Sequence, residues 1–222
     1  MGKKTTKPRS LRVMLADLKY FNKYSQHDIF VPLNLGYLVS HARKVLGSSV
    51  DISIHLDATQ FLDQCLANKP DIIGFAIYTW NLTLTKTVIR MLRERLGDKV
   101  TIIVGGPSVG ENEVDQIALF NNVPGVDALV PGEGEIGFVN ILKFVSENGA
   151  VDKRTPIQNA ILWDDRLVYN KGKKREVLDL NSLDSPYLTG VLTSFMQPPF
   201  HYMIQTTRGC PYTCTFCVKG AD

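Results

Sequence analysis

Three of the four cysteines lie close together near the C-terminal end of this 222-residue chain. Cys210, Cys214 and Cys217 follow the spacing C-x-x-x-C-x-x-C within the run RGCPYTCTFC. Three thiolates on one short loop can bind three irons of a 4Fe-4S cluster, and the cubane geometry then leaves the fourth iron without a protein ligand. An open coordination position separates catalytic metal sites from structural ones. The spacing therefore predicts a 4Fe-4S cluster at which chemistry occurs.

Two other interpretations of the cysteines stay open. One is a structural zinc site that takes a fourth ligand such as His201, and the other is three reduced thiols with no metal. Zinc sites usually pair C-x-x-C elements at a distance, and the sequence has no second pair. The spacing therefore favours the cluster over both alternatives.

Glycine, aromatic and carboxylate residues follow three successive β-rich runs. Aromatic and amide groups come after the run that ends near Tyr78, paired glycines come after the next run, and glycines alternate with glutamates after the third. Paired glycines let the backbone approach a ligand closely, and the unpaired amides of a helix N-terminus favour anionic groups. Each pattern alone is typical of an ordinary turn or helix start. A ligand site is indicated by their coincidence at strand ends, where such sheets bind ligands.

Composition and motifs argue against several other classes of protein. The formal net charge is +3, and Lys3, Lys4, Lys7 and Arg9 form a basic tail with no basic stripe after it, so nucleic-acid binding is not expected. No G-x-G-x-x-G follows the first β-rich run and no Walker motif is present, which disfavours nicotinamide and nucleoside triphosphate cofactors. The sequence shows no signal peptide, membrane span or disulfide framework, and we expect a cytoplasmic protein.

The elements that would position these loops alternate between strand and helix from residue 11 to about 150. The β-rich runs are 11–16, 50–56, 71–78, 99–106 and 126–132. The third and fourth runs are nearly continuous in apolar residues, which is typical of strands buried on both faces. The predicted fold is α/β, a doubly wound, five-stranded parallel sheet of the Rossmann-like kind. Cys65 lies on a predicted amphipathic helix between two of the runs and is interpreted as a small buried residue.

The pattern changes after residue 150. Residues 156–172 predict a β-hairpin with Asp164 and Asp165 in its turn, and a later strand at 201–207 leads to Arg208. The predicted organisation is a basic tail at 1–10, a sheet domain at 11–150, a hairpin and linker at 151–200, and the start of a second domain at 201–222.

Five motifs together resemble the cobalamin-dependent radical S-adenosylmethionine (SAM) proteins, over roughly residues 11 to 220. The motifs are PLNLGYL, IYTWN, GGPS, PGEGE and RGCPYTCTFC. That family includes corrinoid-using methyltransferases and the anaerobic magnesium-protoporphyrin ester cyclase. The resemblance implies that SAM binds the open iron and is reductively cleaved to a 5'-deoxyadenosyl radical, with Phe216 packed near the adenine. It also implies that cobalamin binds the strand ends, in contact with Tyr78, Asn81, Leu82, Gly105, Gly106, Ser108, Gly132, Glu133 and Gly134.

One family pattern is missing from the sequence. Many cobalamin domains carry D-x-H-x-x-G after the first strand, with a histidine that ligates cobalt, and neither His27 nor His41 has that spacing. We therefore expect no histidine from that motif on the lower face of the corrin. The absence also leaves open a sheet domain that binds no corrinoid.

The sequence stops five residues after Cys217. A radical SAM core is similar to a partial β/α barrel, of which only the first strand would be present here. We expect the missing barrel to supply most SAM contacts and the substrate site, an external donor to supply electrons, and the 222-residue chain alone to be inactive. A stand-alone corrinoid-binding module with vestigial cysteines is the alternative.

Overall fold

The computed structural model describes residues 10–21, 29–169 and 176–210, together with residues 212, 214 and 215. Its strands are β1 (Leu11–Lys19), β2 (Ile29–Phe30), β3 (Val50–Asp57), β4 (Ile72–Ala76), β5 (Thr101–Gly105), β6 (Ala128–Val130), β7 (Ile161–Trp163), β8 (Leu167–Val168) and β9 (Phe200–His201). Its α-helices are α1 (Leu33–Leu46), α2 (Ala58–Asn68), α3 (Leu82–Leu96), α4 (Glu113–Asn122) and α5 (Glu135–Asn148). None of these helices combines the length and the apolar character needed to cross a bilayer.

The main sheet of the described residues has the strand order β3-β1-β4-β5-β6-β7-β8. Its first five strands are parallel, which confirms the predicted doubly wound α/β fold with five parallel strands. Numbered along the chain, the parallel strands have the order 2-1-3-4-5, so the direction of winding reverses between β1 and β4. Sheets of this order bind ligands beyond the carboxyl ends of the strands at that reversal.

Residues of the central strands alternate between two hydrophobic cores. Ile72 packs into the core under α1 and α5, whereas the next residue, Ile73, packs into the core under α2, α3 and α4. In β5, Ile102 and Ile103 are divided between the cores in the same way. Burial on both faces explains why these strands are almost continuously apolar in sequence. Cys65 lies buried in the second core, as expected, and burial raises the pKa of its thiol to about 12.

The hairpin after residue 150 forms with Asp164 and Asp165 in its turn, as predicted. It extends the main sheet, because β7 pairs antiparallel with β6 through Ala128 opposite Leu162 and Leu129 opposite Ile161. The strand predicted at 201–207 differs from the observed structure. Strand pairing is limited to β9, which lies parallel to β2, and residues 202–207 have no regular secondary structure. Within the described residues no second strand lies beside 202–207 to complete a sheet.

Candidate functional site

The candidate site lies at the edge of the sheet where β1, β4, β5 and β6 end. Three loops leave this edge: the β4 loop (residues 77–81), the β5 loop (residues 106–109) and the β6 loop (residues 131–134). Parallel strands end at the same edge, so the topology brings together residues that are far apart in sequence. Tyr78 and Gly134, for example, are 56 positions apart. The predicted contacts therefore share one edge of the fold, although their individual environments differ.

Asn81 holds the β4 loop together from within. Its side chain is fully buried, and its Oδ1 accepts a hydrogen bond of 2.8 Å from the backbone amide of Tyr78. Its Nδ2 donates to the carbonyl oxygens of Ala76 at 3.1 Å and Leu18 at 3.3 Å. The amide therefore ties the loop to the ends of β4 and β1. These hydrogen bonds fix the shape of the β4 loop. Leu82, the next residue, begins α3 beside the site.

Tyr78 and Trp80 form a stacked aromatic pair at the same edge. Their ring centroids lie 4.5 Å apart at an interplanar angle of 11°. The Tyr78 hydroxyl accepts a hydrogen bond of 2.9 Å from Asn34 of α1, and burial raises the pKa of this tyrosine. Trp80 is 62% exposed. The pair therefore presents a flat aromatic surface to solvent, which suits contact with a planar ligand.

An ion pair that the sequence reasoning missed closes the end of β1. Lys19 Nζ lies 2.8 Å from Asp17 Oδ2, and it also lies 5.7 Å from the centroid of the Tyr78 ring. Asp17 is only 3% exposed, and burial raises the pKa of its carboxyl group although Lys19 acts in the opposite direction. In the sequence, this ion pair is indicated only by two charged residues at the end of the first apolar run, where many cobalamin domains have D-x-H-x-x-G.

The paired glycines at the end of β5 allow two backbones to approach each other. Gly106 has a φ of +105°, and a Cβ at this position would lie 2.8 Å from the carbonyl oxygen of Ile77. The amide of Ile77 donates to the carbonyl oxygen of Gly105 at 2.8 Å, which joins the β4 loop to β5. Any larger residue at 106 would therefore separate these two loops.

Beside the β5 loop lies a cavity of about 320 Å³. Ser108 is one of its lining residues, and Asp115, Leu119 and Asn122 of α4 form its other wall. Asn112 caps the start of α4, since its Oδ1 accepts from the Asp115 amide at 2.9 Å. The cavity therefore lies between the β5 loop and α4, next to one of the strand ends that form the site.

The β6 loop carries the predicted residues Gly132, Glu133 and Gly134 into α5. Gly132 has a φ of +57°, and a Cβ at Gly134 would lie 3.1 Å from Leu38 of α1. Both glycines therefore favour a tight turn that lies against α1. Glu135 follows as the first residue of α5, where the helix dipole stabilises a carboxylate.

Arg208 connects this loop to the cysteine motif. Its Nη2 donates to Glu135 Oε1 at 2.6 Å and its Nη1 to Glu135 Oε2 at 3.2 Å, while Nη1 also lies 3.6 Å from Glu133 Oε2. Burial lowers the pKa of Arg208, but the hydrogen bonds and charge of Glu135 and the charge of Glu133 outweigh it, so that the pKa lies above its ordinary value. Sequence reasoning did not find this contact between residues 73 positions apart.

Two of the three cluster cysteines belong to the described part of the chain. Cys210 and Cys214 are exposed, and neither is in a disulfide. Cys217 and the predicted adenine contact Phe216 lie outside the described residues, as do His27 and residues 1–9 of the basic tail. Among the described residues, no group of three or more His, Cys, Asp or Glu side chains is arranged to hold a metal. His201, the candidate fourth zinc ligand, lies with its ring 5.6 Å from that of Phe30.

Comparison with known proteins agrees with this geometry. The family described as "B12 binding domain" matches residues 27–142, just over half of the chain. The cobalamin-dependent radical SAM methyltransferase TokK of Streptomyces tokunonensis is 29% identical over 69% of this chain and 22% of its own length. The 2-(S-pantetheinyl)-carbapenam-3-carboxylate methyltransferase of Streptantibioticus cattleyicolor is 29% identical over 86% of this chain and 29% of its own length. This chain therefore spans less than a third of the length of either relative.

A solved structure supports the fold. The apo structure of the cobalamin-dependent SAM radical enzyme OxsB aligns with 94% of this chain and 28% of its own, with a TM-score of 0.66 and 20% sequence identity. At that identity the match establishes shared architecture. TokK and OxsB are both named as cobalamin-dependent radical SAM enzymes, which agrees with the resemblance found in the sequence. Together with the sheet order, the family match over more than half of the chain shows that the chain belongs to the B12-binding domain family.

Proposed function

We propose that this chain is the N-terminal part of a cobalamin-dependent radical SAM enzyme that carries out methyl transfer or a related carbon-bond-forming reaction. The observation that carries the proposal is the contact of Arg208 with Glu135, at 2.6 Å and 3.2 Å. It holds the chain two residues before Cys210 against the start of α5, directly after the β6 loop, which is one of the loops proposed to bind cobalamin. This contact supports a placement of the two proposed cofactor sites at the same edge of the sheet.

The residues at this edge fit a corrinoid in shape and polarity. Trp80 exposes a flat ring that is stacked on Tyr78, which suits a planar macrocycle. The cavity beside Ser108 offers about 320 Å³ on the same edge for the nucleotide tail. The proposed cobalamin contacts are Tyr78, Asn81, Leu82, Gly105, Gly106, Ser108, Gly132, Glu133 and Gly134. Of these, Asn81 and Gly106 act by fixing loop shape, because their groups contact the protein itself.

The cysteines fit a 4Fe-4S cluster in their chemistry. The thiols of Cys210 and Cys214 are exposed and free to bind iron, and the spacing places Cys217 on the same loop. When bound, the cluster and SAM supply one-electron reductive cleavage of the sulfonium, and cobalamin supplies a carrier for the methyl group. The residues of this chain would bind both groups and fix their separation. Phe216 is proposed to pack against the adenine of SAM.

The larger relatives indicate what the rest of such an enzyme would add. We propose a C-terminal barrel that completes the SAM site and selects the substrate, an external electron donor, and a cytoplasmic location in which the cysteines stay reduced. The 222-residue chain alone is then expected to bind its cofactors without turnover.

Anaerobic reconstitution of the full 222-residue chain with iron and sulfide tests the cluster. We expect visible absorption and an electron paramagnetic resonance signal after reduction, both lost in Cys214→Ala. Cys65→Ala is the matched control, since that thiol is buried in α2. A wild-type chain without a cluster, or a cluster that survives Cys214→Ala, contradicts this half of the proposal.

Titration of the same chain with hydroxocobalamin tests the other half. We expect saturable binding, and the change in corrin absorption measures it. Binding without any cluster would favour a stand-alone corrinoid module. A cluster without binding would favour a radical SAM protein whose sheet domain has lost its ligand.

A further inference from the structure

The connecting segment, residues 202–208, joins the sheet domain to the cysteine motif and has no regular secondary structure. It is fixed at its start, where β9 pairs with β2. Tyr187 holds it next, because its hydroxyl donates to the carbonyl oxygen of Met203 at 2.7 Å and lies 3.2 Å from the Met203 amide. Beyond that point Ile204 is 85% exposed, so packing does not position the rest of the segment.

Arg208 provides the last attachment before the cysteines. Its guanidinium is 14% exposed and the Glu135 side chain only 5%, so the pair is largely shielded from solvent. Two parallel hydrogen bonds between a guanidinium and a carboxylate fix direction as well as distance. The face of the guanidinium also lies 5.5 Å from the ring centroid of Tyr37 in α1. Arg208 is therefore held by α1, the β6 loop and α5 together.

The contact fixes the backbone immediately before the cluster loop, residues 210–217. Gly209, the single residue between Arg208 and Cys210, has a φ of +80° and turns the chain sharply. Few rotatable bonds separate the Arg208 Cα from the first predicted iron ligand. A shift of α5 would then reach Cys210 through Glu135 and Arg208, and a shift of α1 would reach it through Tyr37 and Arg208.

We infer that Arg208 is a positioning residue that holds the backbone just before Cys210 against the start of α5 and the β6 loop, so that the first predicted cluster ligand and the proposed cobalamin site keep one fixed relation. The cluster part of this inference rests on the proposed function. The attachment of the connecting segment does not, because it concerns described residues alone. A lysine cannot replace Arg208 fully, since a single ammonium cannot form the two parallel bonds to Glu135.

Limited trypsin digestion of the full chain tests the attachment. The connecting segment is exposed and irregular, which suits a protease, yet cleavage after Arg208 requires its buried guanidinium to leave Glu135. We expect Glu135→Gln to speed cleavage between Arg208 and Gly209 by about tenfold, the change expected for about 1.4 kcal/mol of lost interaction. Glu94→Gln is the matched control, because its pair with Arg90 is exposed on both sides. Equal cleavage of wild type and Glu135→Gln overturns the attachment.

Spectroscopy of the reconstituted cluster tests the positioning. We expect Arg208→Gln to alter the electron paramagnetic resonance spectrum of the reduced cluster with SAM, Arg208→Lys to restore it partly, and Arg90→Gln to leave it unchanged. An unaltered spectrum in Arg208→Gln overturns the inference while the proposed function stands. If the wild type forms no cluster, the cluster half of the proposed function and the positioning role both fail, and digestion still decides the attachment. If Arg208→Gln does not fold, Glu135→Asp makes the same comparison with the charge retained.

Discussion

Asp17 and Lys19 form a partly buried ion pair of 2.8 Å at the carboxyl end of β1, beneath the ring of Tyr78. Both charges lie at the point where the winding of the sheet reverses, and Asp17 is the more deeply buried partner. Among the described residues the second carboxylate oxygen of Asp17 has no hydrogen-bond partner. A single lysine therefore does not satisfy this carboxylate, which makes its ionisation unfavourable in the folded protein.

Replacing Asp17 with Asn should change how stability depends on pH. Burial raises the pKa of Asp17 in the folded state above its unfolded value, so the wild type loses stability as pH rises above the ordinary aspartate pKa of about 3.9. The Asn variant lacks this titration. We expect the unfolding free energy of Asp17→Asn, minus that of wild type, to rise between acid and neutral pH in urea titrations. A difference that stays flat or falls over that interval contradicts the raised pKa.

Removing the buried amide of Asn81 should destabilise the fold substantially. Asn81→Ala leaves the Tyr78 amide and the carbonyl oxygens of Leu18 and Ala76 without this partner. We expect a loss of about 3 kcal/mol of unfolding free energy, measured by urea denaturation. Asn122→Ala is the control, because Asn122 is exposed and its side chain accepts a hydrogen bond from exposed Lys86, and it should cost less than about 0.5 kcal/mol. Equal effects of the two substitutions would show that Asn81 does not hold the loop.

The strands were predictable because their patterns are local and physically constrained. Burial of Ile72 and Ile73 in opposite cores requires consecutive apolar residues, and such a run is readable in one sequence. The β4, β5 and β6 loops were found in the same way, since the topology places strand ends at one edge. The prediction of a strand at 201–207 was wrong, because strand pairing depends on neighbouring strands that the sequence of one segment does not reveal.

The side-chain roles within the site were less predictable. The resemblance implies that Asn81 contacts cobalamin, and no pattern in the sequence indicates that its amide also bonds the protein backbone. Arg208 and Glu135 are 73 residues apart, and no periodicity links them. Asp17 and Lys19 are two charged residues at the end of a strand, and their sequence spacing alone does not indicate that the carboxylate is buried. Such pairings depend on tertiary packing, which sequence patterns do not encode locally.

Adding a methyl group at Gly106 should be costlier than at another glycine with positive φ. Gly106→Ala places Cβ 2.8 Å from the Ile77 carbonyl oxygen in addition to its strained φ of +105°. We expect about 3 kcal/mol of destabilisation from strain and displacement of the β4 loop. Gly149→Ala, with a φ of +83° in the left-handed region and nothing within 4 Å of the new Cβ, should cost only about 1 kcal/mol. Similar costs in thermal or urea unfolding would remove the evidence for a close approach of the two loops.

Substitution of Trp80 should weaken ligand binding with little effect on the stability of the fold. Because this side chain is 62% exposed, Trp80→Ala should change the unfolding free energy by less than about 0.5 kcal/mol. If the corrin lies on the exposed indole, the same substitution should raise the dissociation constant for hydroxocobalamin about tenfold, the loss expected for one good aromatic contact. Trp80→Phe keeps a ring over Tyr78 and should recover part of the affinity. An unchanged dissociation constant in Trp80→Ala would place the corrin away from the aromatic pair and leave the cavity beside Ser108 as the nearer candidate.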